Sequence, residues 1–265
     1  MNQSNPMQNN IPKTYIVIPA RLASTRLPKK LLLNATGKPL IQYPYETAQQ
    51  SRMAANVFVA CDDQSILDVV ESFGGTAILT DPNAKNGTDR VAEVAAKLTD
   101  AEIIVNLQGD EPDLSSESID KLIQILVEHP NAEMATLATP IYQKELLDDP
   151  ACVKVVFDKR GKALYFSRSM IPYPRNWSNE LLQSNPPLFY QHLGIYAYRR
   201  NFLLNLKTFP QSELEKTESL EQLRVLNEGY SIMVGVVNES SFGIDTQEDY
   251  QRFVERRKQT EASSF

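Results

Sequence analysis

Tyr15-Ile-Val-Ile-Pro-Ala20 runs directly into Arg21-Leu-Ala-Ser24-Thr-Arg26-Leu-Pro-Lys29-Lys30. The first six residues are apolar or β-branched with no polar alternation, the pattern of a strand covered on both faces. The next ten carry four cations and two hydroxyls. A basic loop at the end of a first strand stands where open α/β sheets take their ligands. Arginine forks match phosphate oxygens two at a time, and lysine adds a mobile point charge. Neither Gly-x-x-x-x-Gly-Lys nor Gly-x-Gly-x-x-Gly occurs in the loop, which disfavours P-loop hydrolysis and ordinary dinucleotide binding.

Outward from this stretch, strands and helices alternate. Leu40 to Met53 reads as a helix, with Pro44 tolerable only in its first turn. Asn56 to Ala60 follows as a strand, then a helix over Ser65 to Phe73 stopped by Gly74-Gly75. Thr76 to Leu79 is a short strand, Thr88 to Leu98 a helix, Glu102 to Leu107 a strand and Ser116 to Glu128 a helix. This alternation predicts an α/β fold with a mostly parallel sheet. Beyond it, Val153–Phe157 and Ala163–Phe166 flank Asp158-Lys-Arg-Gly-Lys162 as a hairpin, and the Pro-, Asn- and aromatic-rich Ile171 to Pro187 leaves the main sheet. Leu188 to Tyr198 reads as a strand, Arg200–Leu206 and Glu213 to Glu228 as helices, and Ser231 to Val237 as a strand. A last helix, Thr246 to Arg257, is capped by Asp245 or Thr246.

Composition narrows the function. The 265 residues are 42% apolar, enough for a core, so wholesale disorder is excluded. With 27 Lys and Arg against 33 Asp and Glu, the net charge of −6 argues against a nucleic-acid partner. It leaves room for a phosphorylated small molecule at a local basic cluster. No apolar run approaches the roughly 18 residues of a membrane helix. Met1 to Thr14 is Asn/Gln-rich with no basic or long apolar stretch, so no signal peptide is expected. Two cysteines, Cys61 and Cys152, make no disulfide framework or zinc cluster and suit a reducing cytoplasm.

Three further segments carry groups with chemistry. Gln108-Gly109-Asp110-Glu111-Pro112-Asp113 follows a strand, where a carboxylate ligates Mg²⁺ beside phosphates or simply caps the next helix. Gly109 is the residue that lets backbone approach a ligand. Gly243-Ile-Asp245-Thr246-Gln-Glu248-Asp249 taken alone is an acidic helix start. Asn86-Gly87-Thr88-Asp89-Arg90 is a cap or a small-residue wall against a nucleotide. His192 reads equally as a satisfied core residue, and Arg168 as a carboxylate holder or a structural ion pair. Asp62-Asp63 is adjacent rather than spaced as Asp-x-Asp, which argues against a GT-A glycosyltransferase.

Ten stretches, IPARLASTRLPKK, TGKPLI, NGTDRVAEV, VNLQGDEP, MATLATPI, VKVVFD, ALYFSRSMIPY, HLGIYAYR, ESLEQLRVL and GIDTQEDY, occur in order and span most of residues 15–255. Together they resemble the 3-deoxy-manno-octulosonate (KDO) cytidylyltransferase, or CMP-KDO synthetase, family. The resemblance implies a Rossmann-like nucleotide-diphospho-sugar transferase fold: a mostly parallel mixed sheet with a smaller β-rich dimerisation excursion. It implies a homodimer that joins CTP and KDO into CMP-KDO and pyrophosphate for the lipopolysaccharide inner core. Arg21, Ser24, Arg26 and Lys30 match the triphosphate loop, and Asp110 and Asp245 the Mg²⁺ ligands. Arg21, Arg26, Lys30, Asp110 and Asp245 form the implied catalytic set. Gly87 and Thr88 match the nucleotide side, where Gln108 also contributes. Gln108, Arg168, His192, Tyr196, Glu221 and Gln222 match positions around the sugar, with Arg168 the local candidate for its carboxylate.

The implied organisation is one nucleotidyltransferase domain over 14–258 with a dimerisation and sugar-binding insertion near 152–200. Flexible tails are expected at 1–13 and 259–265. Lys29 stands where the family usually has Gly, Asn86 where Ser is common, and Ser241-Phe242 where small residues or Pro are usual. These departures leave open a KDO analogue such as 8-amino-KDO, or another α-keto sugar acid. A catalytically silent nucleotide-binding paralogue is the rival of another class, and it requires a lost carboxylate or loop cation.

Overall fold

The strand that opens the fold, β1 (Thr14–Ala20), is apolar on both sides because both are buried. In the computed structural model, which describes residues 12–239 and 243–262, Ile16, Ile18 and Ala20 enter one core cluster while Tyr15 and Val17 enter the other. Parallel neighbours surround it: β2 (Asn56–Cys61), β3 (Ala77–Leu79) and β4 (Ile103–Asn106), in the order β3-β2-β1-β4. The path continues through β8 (Tyr190–Arg199) to β5 (Met134–Pro140) and β9 (Ile232–Val236). β8 runs antiparallel to both β4 and β5, and β9 is parallel to β5.

Helices cover the two faces, as crossover connections between parallel strands require. α1 (Gln42–Gln49), α2 (Gln64–Ser72), α4 (Ser116–Glu128) and α9 (Gln247–Ala262) supply Tyr45, Ile66, Ile119 and Phe253 to the first cluster. α3 (Gly87–Lys97), α6 (Arg200–Leu206) and α8 (Gln222–Asn227) supply Val91, Phe202 and Leu223 to the second. Each fully buried aliphatic side chain contributes about 1.5–3 kcal/mol. The starts are fixed by short polar residues: Asp63 accepts from Ser65 N at 2.8 Å and Asn86 from Asp89 N at 2.7 Å. Ser115 accepts from Ser118 N at 3.1 Å, and such caps are worth about 1 kcal/mol each. Pro44 falls in the first turn of α1, where its missing N–H has no partner to lose. Among the described residues no helix is long and apolar enough to cross a membrane.

The expected hairpin is present as β6 (Lys154–Phe157) and β7 (Ala163–Ser167), attached through the Lys154–Gln191 pair. Three expectations need correction. The strand at 190–199 belongs to the main sheet, so the excursion from 152 to 200 is not separate from it. The helix expected over 213–228 is two, α7 (Glu213–Glu218) and α8, because Ser219 turns left-handed at φ 52° and breaks the ladder. The last helix is one turn longer than expected and takes in residues 259–262. β5 and the short α5 (Lys144–Asp148) lie in a stretch where sequence periodicity gave no element. Residues 1–11, 240–242 and 263–265 lie outside the described residues, and with them most of the expected N-terminal tail, the last three residues of the expected C-terminal tail and the Ser241-Phe242 departure.

Candidate active site

The C-terminal ends of β1 and β4 frame a cleft of about 300 Å³. Arg21, Ser24 and Lys30 come from the loop after β1, and Gln108 and Asp110 from the loop after β4. Asn86, Gly87 and Arg90 come from the start of α3, and Asp245 from the segment before α9. Four chain segments far apart in sequence thus deliver half of the expected residues to one place. Lys30 Nζ ties two of them together: it donates to Asp110 Oδ2, to Asp245 Oδ1 at 3.0 Å and to Ile244 O at 2.9 Å. Ile244 N donates in turn to Asp110 O at 2.9 Å. Arg26 joins the group from outside through a 2.8 Å pair with Asp245 Oδ2.

The cleft wall at α3 is close-packed. A Cβ on Gly87 would lie 3.3 Å from Pro19 Cγ, so a side chain there would press on the end of β1. Gly109 lines this cleft, and packing beneath it supplies a second reason for glycine. Its missing Cβ would lie 2.9 Å from Ile41 Cδ1 and 3.3 Å from Leu31 Cδ2, so glycine is needed for core packing under the cleft. Sequence reasoning missed Arg90 and Asp62. Arg90 is buried on α3, donating to Thr80 Oγ1 at 2.5 Å and Asp81 O at 3.2 Å, and pairing with Asp62 Oδ2 at 3.4 Å. Asp62 Oδ1 accepts from Leu22 N at 2.8 Å, so one carboxylate at the end of β2 ties the basic loop to α3. The available signal was a cation inside the apolar face Val91, Val94, Ala95, which a buried position tolerates only with a partner.

A second cleft, of about 280 Å³, opens on the other side of the same loop. Glu111, His192, Gly194, Tyr196, Gln222 and Gly243 are among its lining residues. Asp110 faces one cleft and Glu111 the other, as do Asp245 and Gly243. A Cβ on Gly194 would sit 2.9 Å from Glu111 Oε1, so a larger residue there would displace the Glu111 carboxylate. His192 stands at the β5–β8 irregularity, with Nε2 at 2.9 Å from Thr136 Oγ1. The single hydroxyl proton of Thr136 serves the carbonyls of Ile195 (2.8 Å) or Leu193 (3.1 Å), which assigns the ring proton to Nε2. Burial pushes the His192 pKa down to about 3, so the ring is neutral. Burial likewise raises the Tyr196 hydroxyl above its usual range. Gln222 is buried, and its Nε2 has no hydrogen-bond partner among the described residues.

Besides Arg26, three expected residues line neither cleft. Thr88 lies one residue inside α3 and bonds Glu221 and Tyr198. Burial raises the Glu221 pKa, and the Thr88 bond opposes that rise. Arg168 spends its guanidinium on main-chain carbonyls: Glu218 O at 2.6 Å, Pro150 O at 2.9 Å and Ser219 O at 3.4 Å. In this arrangement it clamps the left-handed Ser219 turn that brings Gln222 to the second cleft, rather than presenting a free fork to a carboxylate.

Known proteins bear on this geometry. The cytidylyltransferase family model matches residues 15–232. The 3-deoxy-manno-octulosonate cytidylyltransferase of Rhodopirellula baltica is 47% identical over 245 residues, covering 92% of this chain and 98% of its own. That of Thermodesulfovibrio yellowstonii is 48% identical, covering 90% and 95%. The chain belongs to the 3-deoxy-manno-octulosonate cytidylyltransferase family. A solved cytidylyltransferase of the same kind, CMP:2-keto-3-deoxy-manno-octonic acid synthetase complexed with CTP, superimposes with a TM-score of 0.87 at 42% identity. It covers 94% of this chain and 99% of its own, so both clefts fall inside the shared cytidylyltransferase fold.

Proposed function

We propose that this protein transfers CMP from CTP to the anomeric hydroxyl of KDO, releasing pyrophosphate and making CMP-KDO for the lipopolysaccharide inner core. One observation carries the reading: a basic cleft and a second polar cleft, lined by His192, Tyr196, Gln222 and Glu111, meet across the Asp110–Glu111 peptide. The first takes the triphosphate, with Arg21, Arg26 and Lys30 neutralising its charge and that of the departing pyrophosphate. Gly87 and Pro19 leave room for the nucleoside, and Gln108 stands between nucleotide and sugar. The second takes the sugar acid. The unpaired amide of Gln222 donates to a sugar hydroxyl, and neutral His192 and the un-ionised Tyr196 offer hydrogen bonds without repelling an anion. With both substrates seated, the hydroxyl faces the α-phosphorus, and no protein nucleophile is needed.

Asp110 and Asp245 fit a hard divalent cation. Their oxygens converge on one point, the ammonium of Lys30, and two carboxylates supplemented by phosphate oxygens and water are the donor set Mg²⁺ favours. Among the described residues no group of three or more His, Cys, Asp or Glu forms a metal cage. Mg²⁺ held there supplies Lewis acidity, lowering the pKa of the attacking hydroxyl and polarising the phosphate.

A homodimer through the excursion belongs to the same reading. Tyr173 is 83% exposed and Leu164 60% exposed, and β7, which carries Leu164, has an open edge. Two buried thiols, Cys61 and Cys152, suit the reducing cytoplasm. The deciding experiment follows pyrophosphate release from CTP and Mg²⁺ with KDO, 8-amino-KDO or N-acetylneuraminate. Release with KDO and CTP but not ATP is expected. Release with the amino sugar alone would move the substrate, and CTP binding with no release from any sugar would mark a silent binder.

A further inference from the structure

Lys30 does more at this site than a triphosphate-loop cation needs to. An ammonium has three donors and no acceptor. Here they go to Asp110 Oδ2, Asp245 Oδ1 and Ile244 O, and the side chain is only 14% exposed. In this position Lys30 has no donor left for a phosphate. The other oxygen of Asp245 is held by Arg26, a second cation of the same loop, through a pair that is 64% and 42% exposed and therefore weak. The two carboxylates are thus held together by cations of the loop that meets the triphosphate.

A divalent cation on the same two oxygens would lie about 2.0–2.1 Å from each. That is within the space the ammonium fills, and charge repulsion between the two cations adds to the overlap. We propose that Lys30 and the divalent cation exclude one another at Asp110 and Asp245. Lys30 is the resident counter-ion of the carboxylate pair, and the site admits metal when an incoming triphosphate draws the ammonium away. The proposal rests on reading Asp110 and Asp245 as the metal carboxylates. It explains how one lysine serves both partners: its charge moves from the carboxylates to the phosphates as metal takes its place. Metal and nucleotide then bind as linked ligands, each raising the other's affinity by the same factor.

The test uses Mn²⁺ as the probe and the full chain without nucleotide, reading bound metal by the loss of the free Mn²⁺ EPR signal. Wild type is compared with Lys30→Gln and Lys30→Met. The glutamine keeps two donors for the carboxylates and guards against a methionine variant that fails to fold, which thermal melts reveal. Removing the competing ammonium should tighten Mn²⁺ binding by about tenfold or more. Mn²⁺ alone should also raise the melting temperature of Lys30→Gln more than that of wild type. Equal Mn²⁺ affinity in wild type and Lys30→Gln overturns the proposal while leaving the carboxylate assignment standing. Tight Mn²⁺ binding that survives Asp110→Asn in the Lys30→Gln background overturns the carboxylate assignment itself.

Discussion

The two clefts share one loop, yet opposite means hold their walls. On the nucleotide side the contacts are ionic and partly wet: Lys30 with Asp110 and Asp245, and Arg26 with Asp245 at 64% and 42% exposure. On the other side Glu111 is the one charged lining group, and the ordering contact is a buried neutral hydrogen bond between His192 and Thr136. Exposed ion pairs are individually weak and readily exchanged for other ions. Buried neutral hydrogen bonds fix orientation, and a missing partner there is costly. A site that must receive a triphosphate and release pyrophosphate is therefore built from exchangeable charges. On the proposed reading, the cleft that tells one sugar acid from another presents its His192, Tyr196 and Gln222 dipoles in fixed orientation beside Glu111.

The sharpest way to break this contrast is Asp245→Asn. On the proposed metal-binding role, loss of this carboxylate should reduce turnover by about 10³-fold or more, roughly 4 kcal/mol of transition-state stabilisation. The Arg26 pair lost is exposed, and Lys30 keeps Asp110 and Ile244 O, so the melting temperature should move little. Near-normal turnover would remove Asp245 from the chemistry. On the sugar side the expected pattern is reversed in kind. Gln222→Leu buries no orphan donor, whose cost is about 1–3 kcal/mol, so urea unfolding should show equal or higher stability. KM for the sugar acid should rise about 10- to 100-fold while KM for CTP holds, the loss expected when a hydrogen bond to substrate goes. A variant that also loses CTP affinity would mean that the two clefts are not separate.

The neutral state of His192 has a signature in pH. The His192 pKa is about 3 in the folded protein against 6.5 in an unfolded chain. Between those values the unfolded state takes up a proton that the folded state refuses. Stability from this group is therefore complete above 6.5 and lost as pH falls, by up to about 1.4 kcal/mol per pH unit. Denaturant unfolding at pH 7, 6 and 5 should show a flatter decline for His192→Gln than for wild type. The smallest effect is expected on the charged side, at Lys29, whose backbone is left-handed at φ 52°. A non-glycine residue there costs about 1–2 kcal/mol, part of which glycine returns through its own unfolded-state entropy. Lys29→Gly should thus stabilise by at most about 1 kcal/mol, with activity at high salt unchanged.

The first cleft was legible in the sequence and the second less so, for the same physical reason. Arg21, Lys30, Asp110 and Asp245 announce themselves because charges cluster at strand ends and loops, and all four meet in the structure. His192 and Tyr196 alternate along β8, so their shared face could be read. The geometry of Arg168 could not, because what occupies its guanidinium is backbone at Pro150, Glu218 and Ser219, and no side-chain pattern reports a carbonyl. β5 escaped notice because Met134-Ala-Thr-Leu-Ala-Thr-Pro140 is covered on both faces: it lacks period-2 contrast and carries few β-branched residues. The single long helix expected over 213–228 failed at Ser219, since nothing in the apolar spacing marks a serine that turns left-handed.

The antiparallel β8 also governs how the chain must be made. β5 pairs with β8 and β9, both later in the sequence, and β4 waits for β8 as well. A ribosome that has reached residue 189 has produced β1 to β4, which close among themselves, and a β5 with neither neighbour. Bare strand edges are templates for wrong partners. At typical elongation rates the 49 residues from 141 to 189 keep those edges open for roughly 2–10 seconds. Strand order thus sets how long those edges stay open, and Asp245 emerges only after every strand of the sheet.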